Sequence, residues 1–295
     1  MTEPQPSAEI LRTLVARLHA RGRLRVWSVV VTMFGDMIVP RGGRVALAVL
    51  QEIAARIGIE PGALRTAMSR LAADGWVVRE REGRNSFYRL AEGGRHAFDL
   101  ATRRIYAGGP PAWNGSWTVL ISPSEVRAAD AEEAAALGFV RVSGRAFLRA
   151  ETEGAAAVAD SFPDMLLVHG TGAEHPETIL SFWPSGETAE AYRAFIGGFT
   201  PLAAAFDRGD PLAELDAVAA RTLLIHDWRR IVLRDPGLPA ELLPADWPGE
   251  EARALARKIY RALAGPSEVW LDQAGLTAMD RQDAFGARFA GQSSR

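Results

Sequence analysis

Apolar positions follow helical spacing at both ends of the chain and gather in short apolar runs in the middle. Over 7–18, Ile10, Leu11, Leu14, Val15 and Leu18 form one stripe behind Ser7, which can cap a helix. Such a helix packs either on its own domain or on a partner subunit. Trp27, Val30, Val31 and Phe34 keep the spacing of a second helix, which Gly35 and Asp36 end before a loop at 40–43. Leu47, Leu50, Ile53, Ala54 and Ile57 face inward from a third helix, and 58–61 is a turn. Pro61 then opens a helix, because its missing N–H belongs to an unpaired first turn, and Gly75 closes it after Asp74.

This fourth helix has two unlike faces. At 100° per residue Leu64, Met68 and Leu71 share one side, while Arg65, Thr66, Ser69, Arg70 and Ala73 take the other. A cationic, polar and sterically low face is what a helix needs to enter a major groove. Two short strands follow, 76–81 and 86–90, joined by the turn Glu82-Gly83-Arg84-Asn85, with Gly83 and Asn85 supplying tolerance for positive φ. Arg79, Arg81, Arg84 and Arg89 decorate the hairpin. Helix, glycine, strand, basic turn and strand in that order predict a winged helix-turn-helix, with Arg65, Thr66, Ser69 and Arg70 toward the groove and Arg79, Arg81, Arg84 and Asn85 on the wing. An ordinary helix–hairpin unit with solvated arginines is the plainer alternative.

A helix at 91–105 and a Gly/Pro linker at 108–111 lead to a different pattern. Strands are expected at 118–122, 139–142, 145–149 and 165–169, with a helix over 125–137 capped by Ser124 and stopped by Gly138, and a weaker helix at 155–162. The order βαββαβ predicts a ferredoxin-like domain. From 187 the chain turns helical: Tyr192, Phe195, Ile196 and Phe199 share a face until Pro201 breaks or bends the helix. A long helix at 212–233, a proline-rich wrap at 236–248 and a helix at 251–263 follow, and pattern is lost past Leu271, with 291–295 expected to be disordered. The fold class is therefore α+β and multidomain: a winged-helix domain with its leading helix (1–107), a ferredoxin-like middle domain (112–184), an α-helical domain for effector binding and dimerisation (187–275), and a tail (276–295).

Composition changes the picture at one point. The 295 residues carry a net charge of −2, but residues 1–100 hold 15 Arg against 10 Asp and Glu, a net +5, and the rest hold 19 Lys and Arg against 26 acids, a net −7. A basic head on an acidic body suits a DNA-binding module joined to a regulatory one. The absence of cysteine excludes disulfides, thiolate zinc sites and cysteine nucleophiles. No apolar run approaches the roughly 20 residues of a membrane span, and no signal peptide is evident, so a cytoplasmic protein without membrane partners is expected. No GxSxG, HExxH or Walker-type motif is present, and neither a cofactor nor a metal is expected.

Two stretches carry a family resemblance. VWSVVVTMFGDMIVPRGG (26–43) followed by LRTAMSRLAADGWVVREREGRNSFYRL, and later RTLLIHDWRRIVLRDPGLPAELLPADWP (221–248) followed by Ala252-Arg253-Ala254-Leu255, resemble the PaaX family of phenylacetate-pathway repressors. The resemblance runs from about residue 25 to 271. It implies a dimeric repressor of aromatic-acid catabolism that binds a double-stranded operator and is released by an aryl-CoA thioester, commonly phenylacetyl-CoA. It also implies a middle domain like that of a small CRISPR-associated nuclease, though fold does not carry activity.

An acyl-CoA effector needs cations for its phosphates and an apolar pocket for its aryl group. On the long helix, His226, Arg229 and Arg230 share the arc left over by Leu224, Trp228, Ile231 and Val232, and with Arg234 they form the candidate anion wall. The alternative pairs Arg229 and Arg230 with Asp227, Asp235 or Asp246 as structural ion pairs. Trp183 and Tyr192, with Phe195 and Trp228, are candidate aryl walls or plain core. His169 and His175 flank a Gly-Thr-Gly turn that reads as surface. The competing function is an enzyme acting on CoA thioesters or nucleic acid with an accessory winged-helix domain.

Overall fold

The structure, a computed structural model, describes residues 5–20, 22, 24–152, 158–277 and 288–289. It is α+β, with two antiparallel sheets.

Helix α1 (Ser7–Ala20) buries Ile10, Leu11, Leu14 and Leu18. It packs within the chain, chiefly against α7 (Ser185–Asp207) and α8 (Glu214–Val232), and touches its own domain where His19 Nε2 lies 2.9 Å from the Ile57 carbonyl. Ser7 does not cap α1, because its backbone N–H and hydroxyl donate to the Asp210 carboxylate at 2.6 and 3.1 Å. Helix α2 (Val26–Met33) does not stop at Gly35-Asp36. It continues through a π-helical turn (Phe34–Ile38) and a 3₁₀ turn (Val39–Arg41) that takes in Pro40, and Gly42 ends it at φ +81°. Asp36 is 1% exposed, so its buried charge partners override the local stop signal.

Strand β1 (Arg44–Ala46), helix α3 (Leu47–Arg56), helix α4 (Pro61–Ala73), β2 (Val77–Glu82) and β3 (Asn85–Leu90) follow. Gly58 (φ +74°) lets the chain turn between α3 and α4. The hairpin is tighter than the four-residue turn expected: Glu82 pairs with Asn85, leaving only Gly83 and Arg84 between them. Gly83 has φ +59° and Asn85 has no positive φ, as in a two-residue turn with glycine first. β1, which periodicity did not reveal, pairs with β3 and gives the sheet order β1-β3-β2. Helix α5 (Arg95–Ile105) leads to the linker.

The second sheet holds β4 (Trp113–Ile121), β5 (Val140–Arg141), β6 (Ala146–Thr152) and β7 (Leu166–Thr171) in the order β5-β6-β4-β7, all antiparallel. Helix α6 (Ala128–Ala136) starts later than expected, behind Arg127, whose guanidinium pairs with Asp130 at 2.8 Å; no side chain caps it, Ser124 included. Of the helix expected at 155–162, residues 155–157 lie outside the described residues and 158–162 form turns. One face of this sheet buries Leu120 and Phe147 with α6, and the other buries Trp117 and Ala150 under Ile179, Leu238 and Leu242.

Helix α7 runs through Pro201 to Asp207, and α9 (Gly249–Gln273) runs through Pro266, ten residues past the predicted end. An interior proline costs about 3 kcal/mol, and burial of Phe195, Phe199, Leu202 and Ala205 on α7 outweighs that. Residues expected as separate head and helical domains share one continuous core that includes Leu64, Phe34, Leu224 and Ile259. In the segment expected as a tail, Arg288 and Phe289 are buried against that core, and 291–295 lie outside the described residues.

Candidate functional site

Helix α4 buries Leu64, Ala67, Met68 and Leu71 and exposes Arg65, Thr66, Ser69, Arg70 and Ala73. The exposed groups are nearly unencumbered. Thr66 donates to the Gly62 carbonyl at 3.0 Å within its own helix, and Arg70 lies 3.6 Å from Asp74 at the helix end. Arg65 has no ion pair among the described residues. On the hairpin Arg79 donates to the Ser86 hydroxyl (2.9 Å) and Arg81 to the Gly83 carbonyl (3.3 Å). Arg84 and Asn85 are exposed at its tip.

Two other arginines of this sheet are neutralised. Arg89 donates to Glu80 at 2.9 Å, and Arg44 pairs with both Glu80 and Glu82. Arg89 first and Arg44 second hold the Glu80 carboxyl below its ordinary range. On this sheet the available positive charge is thereby left to the outer strand and tip of the hairpin.

The candidate anion wall on α8 is not brought together. His226 is buried and shares a 3.1 Å hydrogen bond with Thr32. Arg229 turns toward α2 and donates to the Ser28 carbonyl (3.1 Å) and hydroxyl (2.8 Å), whereas Arg230 and Arg234 are exposed. Neither Arg229 nor Arg230 makes the expected alternative ion pair with Asp227, Asp235 or Asp246 among the described residues. The aromatic candidates are brought together: Trp183 and Tyr192 flank Trp247 with ring centroids 5.7 and 6.0 Å from it, and Tyr192 and Phe195 meet Trp228 of α8 at 5.9 and 5.6 Å. Tyr192 is occupied by Asp235, to which it donates at 2.7 Å, and burial pushes its phenol far above the ordinary range.

Arg229 instead faces a cavity of about 200 Å³ between α2, α5 and α8. Beside this cavity lies a charge cluster that sequence reasoning missed. The Asp36 carboxylate accepts from Arg221 Nε at 2.7 Å, Arg288 Nη1 at 2.8 Å, and the hydroxyls of Tyr106 and Tyr260 at 2.5 and 2.9 Å. Arg221 also reaches Glu268 at 2.5 Å, and Glu268 joins Arg41. Burial alone would raise the Asp36 pKa, but Arg221 and then Arg288 more than offset it and hold the group below its ordinary value. The one available signal was Asp36 itself, an acid in the apolar run 26–39.

The geometry thus defines an α+β chain with a basic helix and hairpin built on a helical body. The PaaX-like protein family matches residues 25–94, and the PaaX-like protein C-terminal domain matches residues 183–273. Transcriptional repressor PaaX of Escherichia coli (strain K12) is 31% identical over 277 residues, which is 89% of this chain and 88% of that one. The chain belongs to the PaaX-like family. Among solved structures, uncharacterized protein Rv0674 from Mycobacterium tuberculosis is 24% identical, with a TM-score of 0.48 over 75% of this chain and 89% of that one. The named relative is a repressor and not an enzyme, and no metal-binding group of acidic, histidine or cysteine residues occurs among the described residues.

Proposed function

We propose that this protein is a DNA-binding transcriptional regulator, a repressor rather than an enzyme, that acts in the cytoplasm. Its N-terminal unit is a winged helix-turn-helix: α3 and α4 form the helix pair, α4 enters the major groove, and the β2–β3 hairpin is the wing that touches backbone or minor groove. The observation that carries this reading is the exposed face of α4, with Arg65, Thr66, Ser69 and Arg70, together with an exposed Arg84 that has no ion pair among the described residues. The strand order β5-β6-β4-β7 supports a ferredoxin-like scaffold for the middle unit.

The family supports control by an aryl-CoA thioester such as phenylacetyl-CoA and a role in aromatic-acid catabolism. One recognition helix covers only a few base pairs, so the repressor binds a near-palindrome as a homodimer. The apolar faces of α1, α7 and α8 are spent inside the chain. A second copy is better served by the middle sheet, where Ile121 pairs with Leu166 and Val119 with Val168 on a face that leaves Leu166 59% and Val168 45% exposed.

The test uses DNA selected from a random pool by the full-length protein. If Arg65 reads a base, Arg65→Ala costs about 1–3 kcal/mol and relaxes preference at one position. Arg84→Ala weakens all sequences alike and lowers the salt slope by about one unit. Unchanged binding by both variants removes the assignment.

A further inference from the structure

The cavity between head and helical body is walled by apolar side chains from both. Val31 comes from α2, Phe98 and Ala101 from α5, Ile225 from α8, and Trp76 from the residue after Gly75 at the end of α4. At about 200 Å³ it is of the size that admits one aromatic ring, since an apolar void of about 150 Å³ takes up benzene. A nucleotide would not fit.

Most polar groups on its wall are already committed. Thr32 donates to the Ser28 carbonyl at 3.0 Å and shares a hydrogen bond with His226. The Asp36 carboxylate accepts from two arginines and two tyrosines, Tyr106 among them. Arg229 is the exception. Its Nη2 is held by Ser28, but its Nε is buried without a partner, and no carboxylate neutralises it among the described residues. Burial first, and the neighbouring charge of Arg230 second, lower its guanidinium to about 10. A half-buried cation with an unmade hydrogen bond favours any acceptor that can reach it.

We propose that this cavity binds an aryl ring carrying a carbonyl or carboxylate oxygen. The ring lies against Trp76, Phe98 and Ala101, and the oxygen accepts from Arg229. Trp76 meets Phe98 edge-on, with centroids 6.0 Å apart, so a ring inserted there separates the end of α4 from α5, which packs on α8. The ligand then binds the DNA-free arrangement better than the DNA-bound one, which is the condition for release. This site rests on the reading of the chain as an effector-controlled repressor. The same chemistry can arrive as a free arylacetic acid or as the acyl end of a thioester whose CoA portion stays outside.

The absence of cysteine gives a clean test. Thr102, on the cavity wall, is replaced in Thr102→Cys, and exposed Glu125 in Glu125→Cys serves as control. Alkylation by iodoacetamide is timed with phenylacetate, phenylacetyl-CoA or CoA alone, and binding of each probe is measured by calorimetry on wild type and on Arg229→Gln and Ala101→Leu. Expected are at least tenfold slower alkylation of Thr102→Cys with phenylacetyl-CoA, phenylacetate or both, none with CoA, no effect on Glu125→Cys, and at least tenfold weaker binding by either cavity variant. Protection by phenylacetate assigns the free acid, and protection by the thioester alone assigns the acyl group. Probe binding that releases selected DNA without protecting Thr102→Cys overturns the site and leaves effector control standing. No binding by any probe overturns both. If a cavity variant unfolds, the protection experiment decides.

Discussion

Replacing Asp36 with asparagine tests the buried charge cluster most directly. The side chain keeps its size but loses its charge, so the ion pairs of Asp36 with Arg221, whose side chain is 0% exposed, and with Arg288 are both lost, while Arg221 keeps Glu268. Removing one member of a buried ion pair costs about 3–5 kcal/mol, because the stranded charge cannot be rehydrated. Total stabilities are of order 5–15 kcal/mol, so Asp36→Asn removes a large share. At about 2–4 °C per kcal/mol for a chain of this size class, the thermal midpoint falls by about 6–20 °C. Urea and thermal unfolding of full-length protein measure it. Arg221→Met on the Asp36→Asn background recovers part of the loss, because a well-packed apolar side chain replaces an uncompensated charge. A loss below about 1 kcal/mol, or strictly additive single and double variants, would refute the claim that Asp36 anchors the core through its charge.

Two further outcomes follow from the same structure. Asp36 is held below the ordinary aspartate value of 3.8, so its contribution is fully present above that pH and is lost as pH falls below about 4; the stability gap between wild type and Asp36→Asn therefore stays constant from pH 8 to 5 and narrows under stronger acid, as read by urea titrations at each pH. Leu166→Glu combined with Val168→Glu converts a dimer to a monomer in sedimentation at micromolar concentration and weakens binding to two-half-site DNA; an unchanged dimer places the interface elsewhere.

What the sequence revealed depended on the range of the forces involved. Helix α4 and its hairpin were legible because helical period, Pro61, Gly75 and Gly83 are local signals that agree with one another. α8 was legible for the same reason. Asp36 was misread as a helix stop because its partners Arg221, Tyr260 and Arg288 are 185, 224 and 252 residues away. Pro201 and Pro266 were read as ends or not read at all, since local propensity does not count the apolar area their helices bury. β1 spans three residues, too short for an alternating pattern. The effector arc shows the limit on sites: angular spacing placed His226, Arg229 and Arg230 on one side of α8 but could not show that α2 covers Arg229 and leaves Arg230 in water.

The shared core also bears on whether so small a ligand can control DNA binding. Head and body meet through packed side chains from α1 to α9, so the head is not free on a tether and its angle is fixed by the packing of α2 and α3 on α8. The cavity opens beside the partly exposed Trp76, so filling it gains what burying one aryl side chain gains, about 1.5–3 kcal/mol. Reversing a two-state equilibrium from 99:1 to 1:99 requires a differential affinity of about 5.5 kcal/mol. Filling the cavity in one arrangement and not in the other therefore supplies up to about half of the energy needed. A hydrogen bond to the Arg229 cation, worth about 1.5–3 kcal/mol, brings the total to about 3–6 kcal/mol. On these magnitudes one aryl ring with one oxygen reaches the range needed to move the head, and nothing in that sum draws on a CoA portion outside the cavity.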